Sequence, residues 1–165
     1  MHDVQALIAA DSLLAGLPAR FASAVVCPLV QGLVLVPVTD ALVRELPDAG
    51  PEIAASSSLS SWEVDIAQGV ATFASQLSAA GLIAYVSTEF FGGRGGQDAL
   101  VWANGRIVLA LRSNEDNALP WPNTPVSQAL RFMGIKADAG KDEFDTVGLG
   151  RHRSTRSWAA AYASS

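Results

Sequence analysis

Residues 82–112 read Leu-Ile-Ala-Tyr-Val-Ser-Thr-Glu-Phe-Phe-Gly-Gly-Arg-Gly-Gly-Gln-Asp-Ala-Leu-Val-Trp-Ala-Asn-Gly-Arg-Ile-Val-Leu-Ala-Leu-Arg, and this stretch decides the fold. Over residues 82–91, Leu82, Ala84, Val86, Thr88 and Phe90 fall on one side and Ile83, Tyr85, Ser87, Glu89 and Phe91 on the other, the period of two that a strand requires. The glycines around Arg94 tolerate positive φ and close backbone approach, so residues 92–96 are expected to turn the chain. Residues 97–103 return, and Asn104-Gly105 suits the two positive φ values of a type I′ hairpin before residues 106–112. That turn predicts Trp102 opposite Ile107 and Leu100 opposite Leu109. The result is a three-stranded antiparallel meander.

On the N-terminal side, residues 29–37 are apolar on both faces, as a covered central strand would be, and supply a fourth strand. Val4, Leu7, Ile8, Asp11 and Leu14 recur at nearly helical spacing, which predicts an amphipathic helix over residues 3–15. Thr39 or Asp40 can cap a short helix that Pro47 ends. Residues 47–61, with the run Ser56-Ser57-Ser58, read as a flexible loop. Ser60 and Glu63 make a capping box for a helix over 62–79, whose apolar face carries Trp62, Ile66, Val70, Phe73 and Leu77. On the C-terminal side, Thr124 and Pro125 open a helix reaching residue 133, and Asp142 to Val147 can form one further turn. The expectation is a single α+β domain over residues 1–165, a mainly antiparallel sheet of about four strands covered by three or four helices.

At 165 residues the chain can bury about 70% of the surface that its unfolded form exposes. Only 16% of residues are charged, so part of the apolar excess is free to seek a partner. The net charge of −5 argues against nucleic-acid binding, which needs clustered Lys and Arg. Residues 141–165 hold Lys141, Arg151, Arg153 and Arg156 against Asp142, Glu143 and Asp145, so the rest of the chain carries −6. Cys27, the single cysteine, excludes an internal disulfide and has apolar neighbours, as a buried inert thiol would. No basic residue precedes Arg20, and Pro28, Gln31, Gly32 and Pro37 interrupt the apolar run at 22–38, so neither a signal peptide nor a membrane span is expected. The expected location is the cytoplasm.

Candidate chemistry is sparse. The glycine loop lacks the Gly-Lys-Ser/Thr of a phosphate cradle and is followed by a strand, so a hairpin connection or a partner-contact surface is the better reading. Glu89 and Asp98 lie across the loop and could imitate a hydrolase pair, with His152 as general base if the terminal His2 is loose. No Gly-x-Ser-x-Gly elbow is present, and one cysteine with one usable histidine gives no metal-ligand spacing; no cofactor and no metal are expected. Partner contact is expected through Glu89, Gly92, Gly93, Arg94, Gln97 and Asp98. A second patch would comprise Asp142, Glu143, Arg151, His152 and Arg153, with the basic residues either on the surface or paired to the acidic ones.

Two segments carry a family resemblance: Glu89-Phe90-Phe91-Gly92-Gly93 with Gly95, Gln97 and Trp102, and Asp142-Glu143-Phe144-Asp145 with Gly148-Leu149-Gly150-Arg151-His152-Arg153 and Trp158. Over residues 82–158 the chain resembles a group of small bacterial proteins that includes immunity factors of secreted toxins. Arg94 stands where members often carry a small or apolar residue, and the first 25 or so residues have no counterpart. The resemblance implies a binding protein that blocks a toxin domain and assigns no reaction. A small hydrolase or transferase using Glu89, Asp98 and His152, and a structural or homo-oligomerising module, are the alternatives.

Overall fold

The computed structural model describes residues 2–46, 66–91 and 94–163, the side chains of Phe91 and Arg94 excepted. Its strands are β1 (His2–Ala10), β2 (Cys27–Pro28), β3 (Leu33–Pro37), β4 (Ile83–Phe91), β5 (Arg94–Ala103) and β6 (Arg106–Ser113). They form one antiparallel sheet in the order β2-β3-β1-β4-β5-β6. The helices are α1 (Asp11–Leu14), α2 (Leu17–Arg20), α3 (Asp40–Glu45), α4 (Gln68–Leu77), α5 (Pro125–Phe132), α6 (Glu143–Val147) and α7 (Thr155–Tyr162), with a 3-10 turn at Leu149–Arg151. The α+β class stands, with six strands rather than four and seven mostly short α-helices rather than three or four among the described residues.

The largest correction is at the N-terminus. Residues 3–15 are not one helix: His2–Ala10 is a central strand between β3 and β4, and only Asp11–Leu14 is helical. Val4, Ala6 and Ile8 are buried on one side of that strand and Leu7 and Ala9 on the other. A strand covered on both faces has apolar residues at consecutive positions, and over nine residues these also satisfy a helical template.

Helices cover both faces of the sheet. Val4, Ala6, Ile8, Leu35, Ala84, Val86, Ala99 and Val101 pack against Val126, Ala129 and Leu130 of α5, Val147, Leu149 and Trp158. Leu7, Val34, Val36, Ile83, Tyr85, Leu100 and Trp102 pack against Leu14, Leu17, Leu42 and the α4 residues Val70, Phe73 and Ala74. Burying a Leu or Phe side chain stabilises by about 1.5–3 kcal/mol, so these two layers dominate the fold's energetics.

The meander forms with one shift of register. Asn104 and Gly105 have φ of 52° and 80°, as a type I′ turn requires, and Trp102 faces Ile107. A bulge then leaves Val108 unpaired, so Leu100 faces Ala110 and not Leu109. Arg94 to Gly96 belong to β5 rather than to a turn, since the β4–β5 ladder runs to Phe91 opposite Arg94. Helix α3 is capped by the Thr39 hydroxyl, which accepts from the Leu42 amide. The Ser60–Glu63 capping box and Trp62 lie outside the described residues, and α4 spans Gln68–Leu77 within the expected 62–79.

Candidate functional site

Pairing register places a polar patch at one end of the sheet. Ser87 lies opposite Gln5 and Asp98, Asp98 opposite Arg112, and Glu89 opposite Asp3 and Gly96. Paired strand residues share a face, so Asp3, Gln5, Ser87, Glu89, Asp98 and Arg112 all emerge on the side that farther along buries Leu7, Tyr85 and Leu100. Gln5 Nε2 donates to Asp3 Oδ1 at 2.9 Å, and Arg112 Nε stands 3.4 Å from Asp98 Oδ1. Glu89 is exposed. Ser87, Glu89, Asp98, Arg112 and Asn114 line a shallow hollow of about 120 Å³. Such a surface can accept hydrogen bonds and pair with cations on a rigid frame.

The glycines beside this patch answer to the sheet. A Cβ on Gly95, whose φ is +135°, would lie 1.7 Å from the Glu89 carbonyl oxygen, and one on Gly96 would lie 2.2 Å from that of Ser113. Close backbone approach therefore explains both residues without a ligand. Gly92 and Gly93 lie outside the described residues, as does the Arg94 side chain. Gln97 turns to the opposite face, where it is buried and its Oε1 accepts the Val126 amide at 3.1 Å. It caps the first turn of α5 from the sheet, where Thr124 makes no side-chain cap.

The second patch is dispersed. Asp142 is buried and caps α6, accepting the Asp145 amide at 2.8 Å. Glu143, also buried, accepts a guanidinium fork from Arg131, with Nε at 3.1 Å and Nη2 at 3.0 Å. The Glu143 carboxylate raises the Arg131 pKa. Arg131 is thus the basic partner, in place of Arg151 or Arg153. Arg151 instead donates to the carbonyls of Gly148 and Pro28 and lies 5.4 Å above the Trp158 ring. Arg153 is exposed, and its carbonyl accepts the Asp3 amide at 2.7 Å.

Both histidines are held by their surroundings, including the one expected to be loose. His2 is held: Nδ1 lies 2.6 Å from Thr88 Oγ1 and Nε2 3.3 Å from the Leu149 carbonyl. A carbonyl can only accept, so Nε2 carries the proton and Nδ1 accepts from the Thr88 hydroxyl. Burial lowers the pKa of this ring. His152 packs edge-on to Trp158 at 4.6 Å and to Tyr162 at 5.9 Å, and Trp158 belongs to the helical layer on the face opposite Glu89. The sheet thus unites Glu89 with Asp98 and separates both from the ring of His152.

Cys27 is buried, its thiol pushed up to about 12 by burial, with Sγ 3.6 Å from the Trp158 carbonyl. Among the described residues no helix is long and apolar enough to cross a membrane, and no group of three or more His, Cys, Asp or Glu could hold a metal ion. Asp3 and Gln5 escaped the sequence reading because a helix scatters residues that a strand aligns. Only reading residues 2–10 with a period of two would have found them. No family model, curated protein or solved structure matches this chain.

Proposed function

We propose that this chain is a non-enzymatic, bacterial immunity-type protein of the cytoplasm that binds and neutralises a cognate toxin domain. The observation that supports this reading is the aligned polar patch, in which Asp3, Glu89 and Asp98 stand on rigid neighbouring strands with Glu89 open to solvent. Together with the −6 charge outside the last 25 residues, this acidic surface would steer a basic partner into contact. Gly92, Gly93 and Arg94 adjoin Glu89 along the chain and extend the contact, whereas the Gln97 side chain is engaged on the opposite face by the Val126 amide. A hydrolase or transferase reading requires Glu89, Asp98 and His152 to converge, and the packing of His152 on Trp158 speaks against it.

The test is growth rescue. Coexpression with a growth-inhibiting toxin domain that the chain captures from its native host is expected to restore growth, and Glu89→Lys, at an exposed position, to reduce rescue while circular dichroism stays unchanged. Rescue that is absent, or indifferent to Glu89→Lys, would remove this face from the interface. A turnover of esters, phosphoesters, nucleotides or glycosides that vanishes in both Glu89→Gln and His152→Ala would replace the binding reading with the enzymatic one.

A further inference from the structure

We propose that β6 is a self-association edge, on which a second copy of this chain pairs antiparallel about Ala110 and joins two sheets into one. Among the described residues β6 is hydrogen-bonded on one side only, to β5. Its centre, Ile107-Val108-Leu109-Ala110-Leu111, has no charge and no proline, and the bulge leaves Val108 45% exposed. An apolar edge of this kind is a template for a further strand.

The strand's alternation permits a second copy, and the charges at its two ends favour one. A two-fold axis perpendicular to the sheet keeps equivalent faces on one side, so residues opposed across the new pairing must point the same way. Leu109 and Leu111 lie opposite Val101 and Ala99, which face one layer of the core, while Ala110 lies opposite Leu100, which faces the other. Pairing about Ala110 therefore sets Leu109 against Leu111 of the partner subunit and Ala110 against its own equivalent; a slip by one would oppose side chains that point apart. Charge complements the same register. Exposed Arg106 at one end of the strand comes beside the second copy's turn at residues 114–116, which carries exposed Glu115 and Asp116, and the contact occurs twice. No like charges are directly opposed.

One strand edge buries less than the ~1,200–2,000 Å² of a standard interface, so the association is weak and concentration-dependent. Light scattering on the full chain between about 10 µM and 1 mM, the range suited to weak contacts, is expected to show a mass rising from 17.2 kDa towards twice that value. Val108→Lys should raise the dissociation constant at least about tenfold. Arg106→Glu should weaken association, and adding Glu115→Arg and Asp116→Arg should restore it. Ala110→Cys should give a covalent dimer on mild oxidation, since Cys27 is buried and opposed Cβ atoms come within roughly 4.5–5.5 Å. A mass that stays at 17.2 kDa with no covalent Ala110→Cys dimer would overturn the proposal. So would a dimer that Val108→Lys and Arg106→Glu, both folded by circular dichroism, leave equally tight.

Discussion

Gly95 shows how a single residue can be misread from its neighbours. Among four glycines and an arginine it suggests a surface shaped for a ligand, yet its missing side chain makes room for the Glu89 carbonyl. Gly95→Ala is therefore expected to destabilise the fold by about 1–3 kcal/mol through positive φ and the backbone clash. Gly81→Ala is the control: it meets nothing within 4 Å, and its stability should be unchanged or slightly raised. Equal urea midpoints for the two variants would contradict the close approach. His2 makes the second prediction at this scale. Because burial lowers its folded pKa below the ordinary 6.5, the unfolded chain takes up the proton first as pH falls. Its contribution is thus complete above pH 6.5, is lost on acidification towards the folded value, and then levels off. Urea midpoints measured from pH 7.5 down to 5 should fall for the wild type and change less in His2→Gln; parallel curves would show that His2 is not responsible.

Among the elements, the meander was the most legible because its signals are local. Asn104-Gly105 identified the turn, and the alternation in residues 83–91 identified β4. Gly105→Val should cost roughly 1–3 kcal/mol, since a β-branched residue resists the φ of 80° found there; an unchanged thermal midpoint would refute that strain. The bulge at Val108 was not legible, because it depends on how β6 meets Trp102 and not on the composition of either strand. Helix α5 shows the same division. Thr124 and Pro125 marked its start, but the cap that satisfies its Val126 amide comes from Gln97 on a strand distant in sequence.

For the whole molecule, the C-terminal segment acts as a clasp. Trp158 and Leu149 are fully buried in one layer of the core, with the helix of Trp158 lying on β1, β2 and β3, while Arg153 is exposed. Trp158→Ala is expected to cost about 3–5 kcal/mol, and Arg153→Ala less than about 1 kcal/mol, since its side chain lies in solvent. Urea unfolding that ranked them the other way would mean that the clasp is electrostatic. The clasp reaches β1 directly, through the Arg153 carbonyl on the Asp3 amide and the Thr155 hydroxyl on the Gln5 amide. It thereby takes the place of a neighbouring strand where β3 has ended.

The sequence by itself determined the α+β class, the β4–β5–β6 meander, the start of α3 at Thr39 or Asp40 and the burial of Cys27, because turn chemistry, alternation and apolar character act within a few residues. Tertiary structure alone decided that residues 2–10 form a central strand, since burial on both faces erases the distinction between helical and strand periods. From that strand follow the alignment of Asp3 and Gln5 with Ser87, Glu89 and Asp98 and the tethering of His2, and the sheet it completes separates His152 from the carboxylates that the alternative, hydrolase reading would join to it. Each is a contact between residues distant in the chain, which no local pattern records.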